Sequence, residues 1–232
     1  MKLIMKLNLL ASTNLEAVLK ASVEKHRGVT DVLSQVKSLL KQTRFDSTNQ
    51  FDVDQLESAN IFSLEEIKTI CIDYRLRFLD LKYFKGQLPQ EAKNKINALE
   101  ETHQTQLNGF KIMAPSVMFR LVKTDDPLLF VPLGNDYFYL IHKWGKDLHP
   151  LRKLRMLPFQ NIWNLLLFLL GLSLIITAIT PMGMFTKKAD STAFLMLYFF
   201  IFKAVAAVVL FCGIALGKNF NPAIWNSKYN KT

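Results

Sequence analysis

One lysine, Lys203, sits inside an apolar run that extends from Ala193 to Gly217. An ammonium group there costs about 2.5–3.5 kcal/mol on insertion scales, so its chemistry is restricted. It can snorkel towards the headgroups, pair with an acid of another subunit, or line a polar pathway through an oligomer. A second apolar run, Ile162 to Thr180, precedes it, and neither run contains Asp or Glu. Any carboxylate partner within the bilayer must therefore come from another chain. With the two runs aligned from their connecting loop, Gly171 and Ser173 fall at the depth of Lys203. A glycine lets helices approach, and a serine hydroxyl can accept a bond.

Other residue types suggest chemistry and carry it less far. Glu100-Glu101-Thr102-His103 places a carboxylate and an imidazole on one helix face, as metal ligands would be. Di-iron bundles need that pair twice, and it occurs once. Asp52 and Asp54 suggest calcium, but the central Gly and closing Glu of an EF-hand loop are missing. His142, Lys143 and Trp144 could form an anion-binding corner; the other reading is a Trp anchoring a small core or touching a membrane interface. His149 follows. No Gly-rich phosphate loop, zinc ligand set or nucleophile with a placed base occurs at diagnostic spacing. No metal and no cofactor is expected.

The elements that position these residues can be read in order. Residues 1–45 are expected to form a helical hairpin. Thr13-Asn14-Leu15-Glu16 reads as a capping box, with Leu15, Val18, Leu19 and Val23 at helical spacing after it. Lys6 interrupts the apolar start, so a cleaved signal is not expected. Residues 46–62 read as a flexible connection, and 63–149 as an α+β domain. A second capping box, Ser63-Leu64-Glu65-Glu66, opens a helix predicted over 64–84, with Ile67, Ile70, Cys71, Tyr74, Phe78 and Leu81 on one face. Asp73 and Arg77 then form an i,i+4 pair. A helix over 89–106 follows, then an antiparallel meander of three or four strands over about 110–144, with a turn at Gly134-Asn135-Asp136.

A basic juxtamembrane segment, 150–161, leads to predicted spans 162–180 and 193–217 and a tail 218–232. Both runs have the roughly 20 residues that a bilayer core requires. The chain carries a formal charge of +10 and a pI of about 9.6. Much of the excess flanks the spans: Lys143, Lys146, Arg152, Lys153 and Arg155 before them, and Lys218, Lys228 and Lys231 after. That placement points to anionic headgroups, with Trp144, Arg152, Lys153, Arg155 and Trp163 as surface contacts, and not to nucleic acid. The short loop puts both chain ends on one side, and the bases favour the cytoplasm despite Lys187 and Lys188. Cys71 and Cys212 fall in different parts and suggest no disulfide framework.

The fold expected is thus a cytoplasmic α+β domain followed by a two-helix transmembrane hairpin, in a multi-pass plasma-membrane protein. The function expected is a non-enzymatic accessory, assembly or scaffold subunit. Its partners would be membrane lipids and a protein, or a second copy, met through the hairpin. An oligomeric pore using Lys203 is the alternative. A lipid-headgroup enzyme using His142 or His149 comes third.

Overall fold

The computed structural model describes residues 12–26, 49, 51–52, 55–115, 126–184, 190–215 and 222–227. The second helix expected before residue 45, residues 117–122 of the expected meander, Asp54 and the loop lysines 187 and 188 lie outside the described residues. The chain divides into two compact units. The first comprises Met1–Leu154 with Trp225–Lys228, and the second Arg155–Ile224 with Tyr229–Thr232.

The first unit is built on a five-stranded antiparallel sheet in the order β1-β5-β4-β3-β2. The strands are β1 (Ile61–Ser63), β2 (Leu76–Asp80), β3 (Lys111–Pro115), β4 (Leu128–Gly134) and β5 (Tyr137–Lys143). The last three are the expected meander. Asn135 and Asp136 make the β4–β5 turn, both at positive φ, as a tight hairpin of this hand requires. The two edge strands were not expected. β1 takes the last two residues of the predicted connection and Ser63, and β2 lies inside the predicted helix. Nor is the connection loose throughout. Asn49 is buried, its amide nitrogen donating to Asn108 O (2.9 Å) and Pro132 O (3.0 Å) and its oxygen accepting from Asn108 N (2.7 Å).

Helix α1 spans Leu15–His26. Its cap is Asn14, whose Oδ1 accepts from Ala17 N at 3.2 Å, and not the predicted Thr13. Thr13 is bridged to Leu148 through two backbone bonds of 2.7 and 3.0 Å, and Glu16 pairs with Lys20. Helix α2 (Leu64–Tyr74) keeps its predicted box. Glu66 N donates to Ser63 Oγ, and Ser63 N donates to Glu66 Oε2 at 2.8 Å. Ser63→Ala removes that cap and is expected to cost the first unit about 1 kcal/mol in urea unfolding.

α2 stops ten residues short of the prediction's end. Arg75 takes a left-handed conformation (φ 51°), and its N–H bonds to Cys71 O and Ile72 O. A left-handed arginine closes the helix without the glycine that usually announces such an end. Phe78 and Leu81 continue the helical spacing by coincidence, and Phe78 instead points from β2 into the core. Its ring lies 5.6 Å from Phe130 and 5.0 Å from Phe138, edge to face. β2 and β5 are three places apart, about 14 Å in a flat sheet. The sheet must therefore curl around Phe62, Phe78, Phe130 and Phe138. Helix α3 (Gln90–His103) packs on β5 and buries Ala92.

Chain 152–156 forms a short helix, α4 (Arg152–Met156). The second unit contains α5 (Ile162–Ile179) and α6 (Ser191–Ala215), which pack on one another. Both are long and apolar enough to cross a membrane, at mean hydropathies of 2.4 and 2.5.

Candidate functional site

The two helices of the second unit have distinct faces. On α5 the buried residues are Leu165, Leu169, Ser173 and Thr177, a strict i,i+4 stripe. On α6 the sheltered residues are Ala193, Phe194, Leu197, Tyr198, Ile201, Phe202, Val205, Ala206, Val209 and Gly213, most of them on one face at helical spacing. Tyr198 Oη reaches Leu170 O at 3.5 Å. The hydroxyls on the α5 stripe are satisfied within their own helix: Ser173 Oγ donates to Leu169 O (2.7 Å) and Thr177 Oγ1 to Ser173 O (2.8 Å).

This arrangement separates the three residues expected to meet in the bilayer. Ser173 is buried against α6 with its hydroxyl donating to its own helix. Gly171 is exposed, and a methyl group built on it would touch nothing within 4 Å. It is not a close-approach glycine within this hairpin. Lys203 is exposed and about half a turn round α6 from the sheltered stripe. Met196, Phe199, Ala207 and Leu210 share its outward face at spacings of four and seven, and all are exposed. Among the described residues Lys203 makes no ion pair. Depth alone was legible in the sequence. The facing direction required the stripe, which the near-uniform hydrophobicity of α6 conceals.

The basic approach to the hairpin is also redistributed. Arg152 Nε donates to Tyr74 O at 3.0 Å, at the carbonyl end of α2. Lys153 Nζ lies 2.6 Å from Asp73 Oδ2 and over the Tyr74 ring. Asp73 thus pairs with Lys153 across the sequence. Cations at a helix C-terminus are favoured by its dipole. The Asp73 contact holds the Lys153 amine above the usual lysine range. Arg155 and Trp163 are exposed, the latter by 67%. Trp144 is half-buried in the first unit, edge-on to Phe84 and stacked on His142, with ring centroids 6.1 Å apart in both pairs. It packs against the first unit's core.

The histidine and carboxylate candidates have structural partners. Glu100 Oε1 accepts from Leu107 N (2.9 Å), and His103 Nδ1 from Asp52 N (3.2 Å). Among the described residues no group of three or more His, Cys, Asp or Glu could hold a metal. His142 Nε2 lies 3.6 Å from Glu91 Oε2; burial, and then Lys95, hold its imidazole below the usual histidine range. His149 Nδ1 accepts from Leu151 N (3.2 Å). Burial pushes the Cys71 thiol up, which suits packing and not nucleophilic attack.

Two features have a place in the core that the sequence does not assign them. Trp225 is 9% exposed and belongs to the first unit's core, although it follows α6 in the chain. Two residues on, Ser227 O accepts from Arg77 Nη1 at 2.8 Å, and Arg77 is itself buried in β2. Asp126 is fully buried and accepts from Leu15 N at the start of α1. The cue for the first was the aromatic, proline-containing tail. For the second there was none, because Asp125-Asp126-Pro127 reads as an ordinary break.

Comparison of the chain with protein-family models, with curated proteins and with solved structures found no match.

Proposed function

We propose that this chain is an integral membrane protein with two spans. The hairpin anchors the α+β unit at the membrane, and the protein serves as a non-enzymatic accessory or assembly subunit. The observation that carries the membrane reading is where the apolar surface lies. Among the described residues, the large hydrophobic side chains that stand exposed run from Leu151 to Phe211, with Ile179, Phe200 and Phe211 at 71–77%. In the most apolar 18 residues of each helix, 22% are buried in α5 and none in α6. A helix in a soluble core is mostly buried, so the core-helix explanation of such hydropathy is disfavoured. An exposed apolar surface of this extent needs a partner or lipid.

Connectivity supports a single-sided arrangement. The chain leaves the first unit at Leu154 and rejoins it at Trp225. With both helices crossing, the two crossings return the chain to the side it left. The basic flanks favour the cytoplasm for that side. Lys203 does not bar insertion. Thirteen Leu, Ile, Phe or Val residues in α6 contribute about 0.3–0.6 kcal/mol each near the helix centre, more than the lysine's cost of about 3.

The test is extraction of membranes from cells expressing the full chain. Alkaline carbonate is expected to leave it in the pellet, and detergent to release it. Release by carbonate alone would overturn the membrane reading. Protease added to sealed vesicles of known orientation is expected to cut N- and C-terminal tags together; cleavage of one tag only would overturn the single-sided arrangement.

A further inference from the structure

We propose that the outward face of α6 docks a transmembrane helix of a different protein carrying an aspartate or glutamate near mid-bilayer. This rests on the membrane reading above and specifies the partner.

The first step is depth. α6 has 25 residues, about 37 Å of helix against a hydrocarbon core of about 30 Å. Lys203 is its midpoint. Sliding the helix by its spare length moves the lysine about 4 Å off the midplane, and its methylene stem adds about one helical pitch. The half-core is about 15 Å. Snorkelling alone leaves the ammonium well inside hydrocarbon.

The second step is direction. Lys203 points away from the α5-facing stripe, so the polar atoms of Ser173 and Thr177 are on the wrong side, and both hydroxyls already donate to backbone. The third is complementarity. Neither helix holds an acid, so a second copy meeting this face brings another lysine, not a carboxylate. A carboxylate must come from a different chain. The fourth is access. Ala207 lies one turn along the face, and Ala204 beside the lysine, both exposed. Small side chains let a partner backbone approach closely enough to bring a short aspartate or glutamate to the amine.

The experiment uses the full chain in phosphatidylcholine vesicles, with a fluorescent protein fused to its N-terminus. The probes are acceptor-labelled synthetic Leu/Ala transmembrane peptides with Glu, Leu or Lys at their centre. Energy transfer is expected to show the Glu peptide associating about tenfold more tightly than the Leu peptide. Lys203→Leu should abolish that preference. Lys203→Glu should transfer it to the Lys peptide, a reversal that no general loss of folding produces. Equal binding of the Glu and Leu peptides would overturn the proposal and leave a lysine accommodated by bilayer thinning and water. A homo-oligomer that dissociates on Lys203→Leu would overturn it in favour of the pore. Flotation with the vesicles under alkaline carbonate separates the two levels. A chain that fails to float defeats the membrane reading, whereas one that floats without peptide preference defeats only the docking.

Discussion

Trp225→Ala is expected to remove about 3–5 kcal/mol from the stability of the first unit, the range for deleting a buried Trp or Phe side chain. A domain holds about 5–15 kcal/mol in all, so this is a large share of the total. The loss should appear as a fall of about 1–3 M in the urea midpoint, followed in detergent by a probe in the α+β unit. Trp163→Ala is the control, because Trp163 is exposed and belongs to the second unit. Truncation before Pro222 should cost at least as much, since it also withdraws the Ser227 carbonyl from the buried Arg77 guanidinium. Equal midpoints for Trp225→Ala and Trp163→Ala would show that the tail merely rests on the unit. The expected result has a consequence for biogenesis. Residues 225–228 are made after both apolar helices. The N-terminal unit therefore cannot complete its core until the hairpin has been synthesised, and a chain stalled before the tail exposes a weakened domain.

Most of the architecture followed from patterns that sequence exposes well. Long apolar runs, the Ser63–Glu66 box and the Asn135-Asp136 turn are local signals, and each was found where it was read. The failures share a physical cause, which is that tertiary contacts decided between local alternatives. Arg75 ends α2 in a conformation that glycine normally signals, so the helical spacing of Tyr74, Phe78 and Leu81 misled. β1 has three residues, too few for an alternation to be seen, and it exists because β5 offers it an edge. Arg77 was read as half of a helical pair; once it lies in β2, it serves the tail instead. The partners of Arg152 and Lys153 were equally hidden: both reach the end of α2, 78 and 80 positions away in sequence. The candidate site was legible in composition and illegible in direction: a lysine in an apolar run is obvious, and the side of α6 it occupies is not.

The pH dependence of stability should show the clearest titration at Asp126. Its carboxylate lies between the start of α1 and Lys143, with Leu15 N donating to Oδ2 at 3.3 Å. Lys143 is shared. Its Nζ lies 2.6 Å from Asp147 and 3.5 Å from Asp126, so the exposed acid takes the closer contact. Burial therefore dominates, and it pushes Asp126 up from 3.8 to about 6, against the pull of Lys143 and the Leu15 amide. A raised carboxylate favours folding in its protonated form. Its contribution is complete below about pH 3.8, declines as pH rises, and is gone above about pH 6. A rise of this size corresponds to about 1–3 kcal/mol after allowance for solvent screening. Asp147 runs the other way, because its bond to Lys143 holds its carboxyl below the usual range and its contribution is lost as pH falls. The comparison that isolates Asp126 is wild type against Asp126→Asn, with urea midpoints taken from pH 4 to pH 7. Wild type should lose stability relative to the variant across that window, and carboxyl NMR should place the Asp126 titration within it. A difference that stays flat with pH would mean that Asp126 remains ionised in the fold and that Lys143 serves it as well as Asp147. The direction of the slope thus decides which of two acids, one buried and one exposed, the single lysine at the base of α1 supports.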